Sequence, residues 1–99
     1  MAVLSNDEIG ERLRALSGWS RKESAIVRQF AFAGFPEAVE FVSRLVPGAE
    51  AADHHPDLTI NYRKVTVSYS THSEGGVTEK DFAGAERADQ AARETGEQR

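Results

Sequence analysis

Two short segments in the middle of the chain alternate apolar and polar residues and are separated by only two residues. The first spans 58–62 and the second spans 65–70, with Arg63-Lys64 between them. Successive side chains of a β-strand point to opposite faces of its sheet, so alternation is typical of a strand with one buried face. A link this short joins antiparallel neighbours as a hairpin. The sequence therefore predicts two half-buried antiparallel strands here.

A second strand pair is predicted in the first third of the chain. Residues 19–23 form a short candidate strand, and residues 26–32 form a longer one with Ile26, Phe30 and Phe32 at even spacing. The short connection between the two segments favours another hairpin. The longer strand shows neither a proline nor an inward charge of the kind that blunts an exposed sheet edge. We therefore expect a partner subunit to cover such an edge.

Two capping boxes mark the beginnings of helices. Ser5 and Glu8 stand at the required spacing, and so do Thr78 and Asp81. Apolar residues at hydrophobic-staple positions flank both boxes, which strengthens the prediction of a first and a third helix. The polar residues 95–99 should form a frayed end after the third helix.

A further helix is predicted between the two hairpins, over about 36–52. Pro36 suits the first helical position because its fixed φ is already helical and its missing N–H costs nothing there. Pro47-Gly48 is unfavourable in the interior of that helix. Pro56 biases His55 away from the helical region. The histidine pair should therefore lie at the exit of this helix, leading into a strand.

The order of these elements predicts the fold class. Helix, strand, strand, helix, strand, strand, helix indicates an α+β fold, a small four-stranded antiparallel sheet with three helices packed on one face. A chain of 99 residues predicts a single domain over 1–99. A domain this small buries only about 60 to 65% of the surface of its unfolded chain, and an open sheet leaves two unpaired edges. We therefore expect a homodimer or homotetramer.

Composition and charge exclude several classes of function. The formal net charge is −4 and no basic run exceeds two residues, which argues against direct contact with nucleic acid. No apolar run approaches the roughly 18 to 20 residues of a membrane span, so we expect no membrane association. The absence of cysteine excludes disulfides, thiol catalysis and thiolate metal ligands. A cytoplasmic location is expected.

Three histidines are the strongest indication of chemistry. His54 and His55 are adjacent, and His72 follows the predicted hairpin over 58–70. Histidine exchanges protons near neutral pH, so a cluster flanked by carboxylates favours proton transfer. A metal site of His54, His72 and Asp81 is the rival interpretation, although the chain has no helical His-x-x-x-His pair to support it. Adjacent histidines in an extended segment point to opposite sides, which argues against a metal held by both.

The spacing of these residues resembles the signature of the pterin-4a-carbinolamine dehydratases. In that family a glutamate precedes a His-His-Pro by four residues, an aromatic follows, a third histidine comes ten residues after the aromatic, and an aspartate lies a little beyond. The resemblance begins at Gly18-Trp19 and covers most of the chain. Leu58 departs from it, because some relatives carry a tryptophan there. The residues that meet the pattern are Glu50, His54-His55-Pro56, Tyr62, His72 and Asp81.

The resemblance implies an enzyme that removes water from a 4a-hydroxytetrahydropterin to give the quinonoid dihydropterin, with neither metal nor cofactor. His54 and His72 would be the acid/base candidates, and His55 would belong to the catalytic set while chiefly holding the pterin. Asp81 would orient and polarise a histidine through a hydrogen bond. The pterin-binding pocket would be formed, besides the three histidines, by Glu50, Pro56, Thr71, Ser73 and Glu74.

Each of these residues also has a purely structural interpretation. Asp81 lies where a helix favours an acidic side chain for capping alone, and Glu50 suits a solvated helix surface. Trp19 and Tyr62 fit core or interface aromatics.

Two partner roles follow from the resemblance alone. An aromatic amino acid hydroxylase would share the pathway, and family members can also serve as dimerisation cofactors of a homeodomain transcription factor, which is the alternative function.

Overall fold

The computed structural model describes residues 3–98 and shows the predicted order of elements. The four strands form one antiparallel sheet in the order β1-β2-β4-β3. The predicted α+β architecture is therefore confirmed. A single turn of 3-10 helix over His72–Glu74 is added between β4 and α3. The elements are α1 (Asn6–Arg14), β1 (Ser20–Lys22), β2 (Ala25–Ala31), α2 (Phe35–Ala52), β3 (Asp57–Asn61), β4 (Lys64–Tyr69) and α3 (Glu79–Thr95).

The core lies between the two central strands and the helices. Every second residue of β4, namely Val65, Val67 and Tyr69, is buried, as alternation predicts. Phe41 of α2 is fully buried against Phe30 of β2, with ring centroids 4.8 Å apart. Helix and sheet thus share one hydrophobic cluster, and burial of this apolar surface is the main stabilising contribution to the fold.

The strand β3 is one edge of the sheet and is more exposed than its pattern predicts. Leu58 and Ile60 lie opposite the fully buried Val67 and Val65, so the alternation is correct. Their side chains nevertheless remain 38% and 40% exposed. Tyr62 was expected in a strand and in a core or interface, but it occupies the turn after β3 with a φ of 57° and is 65% exposed. Its assignment to the core is wrong.

The strand β2 lies inside the sheet, between β1 and β4. The expectation that it forms an exposed edge is therefore wrong. The expectation that it lacks an inward charge is also wrong, because Arg28 is only 8% exposed. Its guanidinium is compensated by Asp89 of α3 at 2.7 Å and by Glu97 at 2.6 Å. A buried guanidinium needs such partners because desolvation of an unpaired charge is costly.

The polar segment after α3 is held on the sheet as far as Gln98, contrary to the prediction of a frayed segment over 95–99. Arg99 lies outside the described residues. The backbone N–H of Gln98 donates to the carbonyl of Ala31 at 2.8 Å, and Glu97 pairs with Arg28 as described above. β1 pairs with β2 only over 25–27, so the terminal segment occupies part of the β2 edge that β1 leaves free. The polar composition of the segment hides these long-range contacts.

The helix α2 continues through Pro47-Gly48 to Ala52. Proline removes one backbone donor, and the rest of the helix is stabilised by buried side chains such as Leu45 and Ala49. Within residues 3–98, no helix combines the length and the apolar character needed to cross a membrane.

Candidate active site

His54 is placed by the end of α2. Asp53 adopts the left-handed conformation, with φ 50° and ψ 44°, which a short polar side chain tolerates better than most. The N–H of His54 then donates to the carbonyl of Ala49 at 3.1 Å, and the N–H of Asp53 donates to that of Glu50 at 3.2 Å. These two bonds form a Schellman motif. The chain turns sharply there, and the imidazole of His54 is directed into the protein, where it is 8% exposed.

Asp81 receives this imidazole at the first turn of α3. Its Oδ1 lies 2.6 Å from Nε2 of His54, and its side chain is fully buried. Its Oδ2 accepts the backbone N–H of Thr78 at 2.9 Å and the hydroxyl of Thr71 at 2.8 Å. Asp81 therefore makes the contacts that both interpretations require, since one oxygen caps the helix and the other contacts a histidine, while its role in catalysis stays a prediction.

Two threonine hydroxyls complete this buried network. Oγ1 of Thr71 lies 2.7 Å from Oγ1 of Thr78, and both side chains are almost completely inaccessible to solvent. Thr78 was predicted only as a helix cap, so its place beside the site was missed. The capping box could have indicated this position, because in such a box Thr78 bonds to Asp81 and therefore lies next to any residue that Asp81 binds. A buried polar network is stabilising only when its members are satisfied, as they are here.

His55 makes a separate pair with Glu50. Its Nε2 lies 2.6 Å from Oε2 of that glutamate, and both side chains are exposed, at 54% and 69%. Adjacent residues in an extended segment point in different directions, and the two imidazoles do contact different carboxylates. A groove of about 150 Å³ next to the exposed pair is lined by Val42, Leu45, Val46, Ala49, Glu50, His55, Pro56 and Leu58.

His72 begins the 3-10 turn and is exposed. The turn is closed by Thr71, whose N–H donates to the carbonyl of Gly76 at 3.0 Å. His72, Ser73 and Glu74 therefore share a surface turn that directly follows Thr71, which is bonded to Asp81. Among residues 3–98, His72 shows no hydrogen bond to another predicted site residue. The same residues contain no group of three His, Asp or Glu side chains placed to hold a metal ion.

Tyr69 forms one wall of the buried pair and was missed as a site residue, because its alternation with polar neighbours indicated only a core position. Its ring lies 5.9 Å from the ring of His54, centroid to centroid, with the planes 22° apart. Burial raises the pKa of the Tyr69 phenol above its ordinary value of 10.0. The charge of Arg87 opposes this increase in pKa, and Asp81 adds to it. The phenol is thus protonated at neutral pH.

The fold and the site define a small α+β protein in which a buried histidine–carboxylate pair is suited to proton transfer. The family model of pterin 4 alpha carbinolamine dehydratase matches residues 2–91, and the chain belongs to this family. A relative from Roseiflexus castenholzii is 50% identical over 91 residues, which cover 91% of this chain and 98% of the relative. One from Picosynechococcus sp. is 51% identical over 79 residues, covering 80% and 86%. Both carry the provisional name pterin-4-alpha-carbinolamine dehydratase.

Solved structures agree with this assignment. A protein from Brucella melitensis described as a transcriptional coactivator/pterin dehydratase has a TM-score of 0.88 and 40% identity, covering 91% of this chain and 98% of its own. A pterin dehydratase-like protein described as a RuBisCO assembly factor of the alpha-carboxysome has a TM-score of 0.61 and 23% identity, covering 75% and 86%. The second likeness concerns the fold alone.

Proposed function

We propose that the protein is a hydro-lyase that converts 4a-hydroxytetrahydropterin to quinonoid dihydropterin in pterin recycling. In this reaction a ring-nitrogen lone pair expels the 4a-hydroxyl group, a general acid protonates the leaving oxygen, and a general base accepts a proton from the ring. The products are water and the quinonoid dihydropterin, so atoms balance without an oxidant or reductant. Family membership supports the reaction, and the His54–Asp81 contact is the observation that carries the mechanism.

His54 is proposed as the general base. A carboxylate can only accept, so the short contact with Asp81 places a proton on Nε2 of His54. The neutral imidazole then keeps its lone pair on Nδ1, which is the nitrogen left for the substrate. The carboxylate also stabilises the imidazolium that forms when Nδ1 takes up a proton. This is the arrangement by which an acidic residue orients a catalytic histidine.

His72 is proposed as the general acid, and His55 as the residue that chiefly holds the pterin. His72 is exposed and lies on the turn next to Thr71, so it can approach a substrate from solvent. His55 and Pro56 border the groove beside α2, with Glu50 supporting His55 at 2.6 Å. Thr71, Ser73 and Glu74 would shape the opposite side of the site. An aromatic amino acid hydroxylase as pathway partner remains a prediction, as do the single domain over 1–99 and the cytoplasmic location.

The decisive assay follows dehydration of enzymatically generated 4a-hydroxytetrahydropterin. We expect the wild-type protein to accelerate it, and His54→Gln to lower kcat by about 10²- to 10⁴-fold, the range of general acid–base catalysis. The matched control is His55→Gln, the same change one residue away, which should mainly raise KM. A wild-type protein that leaves the uncatalysed rate unchanged would refute the activity. Equal kcat losses in both variants would refute the division of roles.

A metal-dependent function makes a different prediction. If imidazole and carboxylate groups carry the proton transfers, exhaustive chelation and dialysis should leave the dehydration rate unchanged. Activity that is lost on chelation and restored by zinc would overturn this mechanism in favour of a metal site.

A second candidate function is binding to another protein, as the description of the Brucella melitensis relative suggests for that protein. Large apolar side chains are exposed on both α2 and β3, which favours such a role. They include Val39, Val46, Leu58 and Ile60. Retained dehydratase activity in a variant that no longer binds its partner would separate the two functions.

A further inference from the structure

The imidazole of His54 is constrained on its face as well as at its edge. Asp81 fixes the edge through the 2.6 Å contact with Nε2. The ring of Tyr69, 2% exposed at the end of β4, lies nearly parallel to the imidazole with centroids 5.9 Å apart. Centroid separations of about 4.5 to 7 Å are those of interacting aromatic pairs. A hydrogen bond alone allows the imidazole to rotate about the bond, and a neighbouring ring restricts that rotation.

The position of Tyr69 depends in turn on Gly84 of α3. A Cβ atom at residue 84 would lie 2.5 Å from Cε1 and 2.7 Å from Cζ of Tyr69, well inside contact distance. Gly84 does not have a positive φ, so its backbone conformation does not require glycine. Glycine is a poor helix former, and its presence inside α3 is explained by the close approach of the tyrosine ring.

One face of α3 thus holds both constraints. Asp81 and Gly84 are three residues apart, and residues at this spacing are neighbours on a helix surface. The helix therefore presents the carboxylate of Asp81 to the edge of the His54 imidazole. About one turn later, the missing side chain of Gly84 leaves space for the ring of Tyr69, which packs against the face of that imidazole. Packing Tyr69 directly on the helix backbone fixes the distance between α3 and β4 at the site.

We propose that Tyr69, seated on Gly84, is a positioning residue that holds His54 in its catalytic orientation. The proposal deepens the proposed function, since it rests on His54 being the general base. Its geometric content concerns the imidazole alone, so it can be tested apart from the activity. No direct contact between Tyr69 and the substrate is required.

The first test compares two glycine-to-alanine changes in helices. At Gly10 of α1 a Cβ would meet nothing within 4 Å, so Gly10→Ala is the matched control for the effect of glycine on a helix. Gly84→Ala must displace the ring of Tyr69. We expect it to lower kcat by about 10²-fold, the cost of a misplacement of about 1 Å, with little change in KM. Gly10→Ala should keep the wild-type kcat.

The second test keeps the proposal falsifiable if Gly84→Ala fails to fold. Tyr69→Leu removes the ring, and Tyr69→Phe restores it without the hydroxyl. The readout is the pair of imidazole ¹⁵N shifts of His54, which report which nitrogen carries the proton and how strongly it is bonded. We expect Leu to change these shifts and lower kcat, and Phe to recover most of both.

The two tests separate this proposal from the proposed function. A wild-type protein without dehydratase activity would refute the function, while the ¹⁵N shifts would still decide whether Tyr69 positions the imidazole. Wild-type shifts and wild-type kcat in Tyr69→Leu would overturn the positioning role and leave the function standing.

Discussion

The adjacent histidines His54 and His55 each pair with a carboxylate. The two pairs have the same N–O distance but differ in exposure and in the separation of their partners along the chain. Both contacts, His54 with Asp81 and His55 with Glu50, join Nε2 to a carboxylate oxygen over 2.6 Å. The first pair is 9% and 0% exposed, and the second is 54% and 69% exposed. Water and salt screen the second pair, so its net contribution to stability should be at most about 1 kcal/mol. The comparison shows that burial, rather than distance, separates a preorganised pair from a surface contact.

The pairs also differ in what must fold before they form. Glu50 and His55 are five residues apart at one helix end, so α2 and its exit suffice. His54 and Asp81 are separated by 27 residues and meet only when α2, β4 and α3 have packed together. The buried pair is therefore tied to the tertiary structure, and the exposed pair is local.

Asp81→Asn should give the largest effect. The amide nitrogen can donate to Nε2 of His54, which would move the imidazole proton to Nδ1 and remove the proposed base. We expect kcat to fall by about 10³- to 10⁴-fold, the cost of the wrong tautomer in a comparable arrangement. Steady-state kinetics with the dehydration assay, together with circular dichroism to verify the fold, measure this. A variant within a factor of ten of wild type would show that the buried pair is only structural.

His72→Ala should lower the dehydration rate by roughly 10²-fold or more, as expected for loss of a general acid. The side chain is exposed and the turn is closed by backbone bonds of Thr71, so thermal stability should hardly change. This separates His72 from both carboxylate-bound histidines. A variant that dehydrates the substrate at the wild-type rate would remove His72 from the mechanism.

For Asp81 and Tyr69, the sequence predicted the local structural role but not the contact with His54 that the structure shows. The capping box located the start of α3 and hence Asp81, because capping depends only on local spacing. The family resemblance implied that this carboxylate also binds a histidine, but not which one, since the contact with His54 depends on packing across 27 residues. Alternation predicted that Tyr69 is buried, but its contact with His54 depends on how closely Gly84 lets α3 approach. Periodicity reports which side of a strand is buried and not what lies against it.

Edges of the sheet show the same limit. The two strands of the second hairpin have similar alternating patterns, yet β4 is central and β3 is an edge. Pairing order is set by long-range contacts, so the alternating patterns do not distinguish the central strand from the edge strand. The terminal segment likewise carries no pattern, although Gln98 pairs with Ala31.

A charged substitution on the edge strand β3 should disrupt the expected homo-oligomer. This edge exposes Leu58 and Ile60, whereas the opposite edge is the three-residue β1, which contains Arg21 and Lys22. Short, charged edge strands resist pairing. We expect light scattering coupled to size exclusion to give at least twice the chain mass for wild type and one chain mass for Ile60→Lys. Ser20→Lys on β1 is the control and should keep the wild-type mass.

This experiment also bears on the comparison of the two pairs. Leu58 and His55 line the same groove, so a second copy at this edge would reduce the exposure of the His55–Glu50 pair. A single-chain mass for the wild-type protein at micromolar concentration would contradict the assembly and leave that pair 54% and 69% exposed, as it is in the single chain.

Alkaline pH should reveal the tyrosine beside the buried pair. Burial raises the pKa of Tyr69 above 10.0. Below pH 10 the phenol is protonated in both folded and unfolded chains, and above it the unfolded chain loses its proton first. Stability should therefore fall as pH rises from about 10 through the folded-state pKa. Tyr69→Phe should reduce this slope in denaturant titrations, and Tyr62→Phe, at an exposed tyrosine, should leave it unchanged. Equal slopes in all three proteins would contradict the effect of burial.

Glu50→Gln should give the smallest effect, and it matches the change at Asp81 because each replaces one carboxylate by its amide. The pair it removes is solvent-exposed, so the free energy of unfolding should change by less than about 1 kcal/mol, measured by urea denaturation. If Glu50 supports His55 in holding the pterin, KM should rise several-fold, by about 1 kcal/mol of binding energy, while kcat stays near wild type. A loss of kcat as large as that of Asp81→Asn would mean that exposure does not distinguish the two pairs, and that His55 takes part in the proton transfer together with His54.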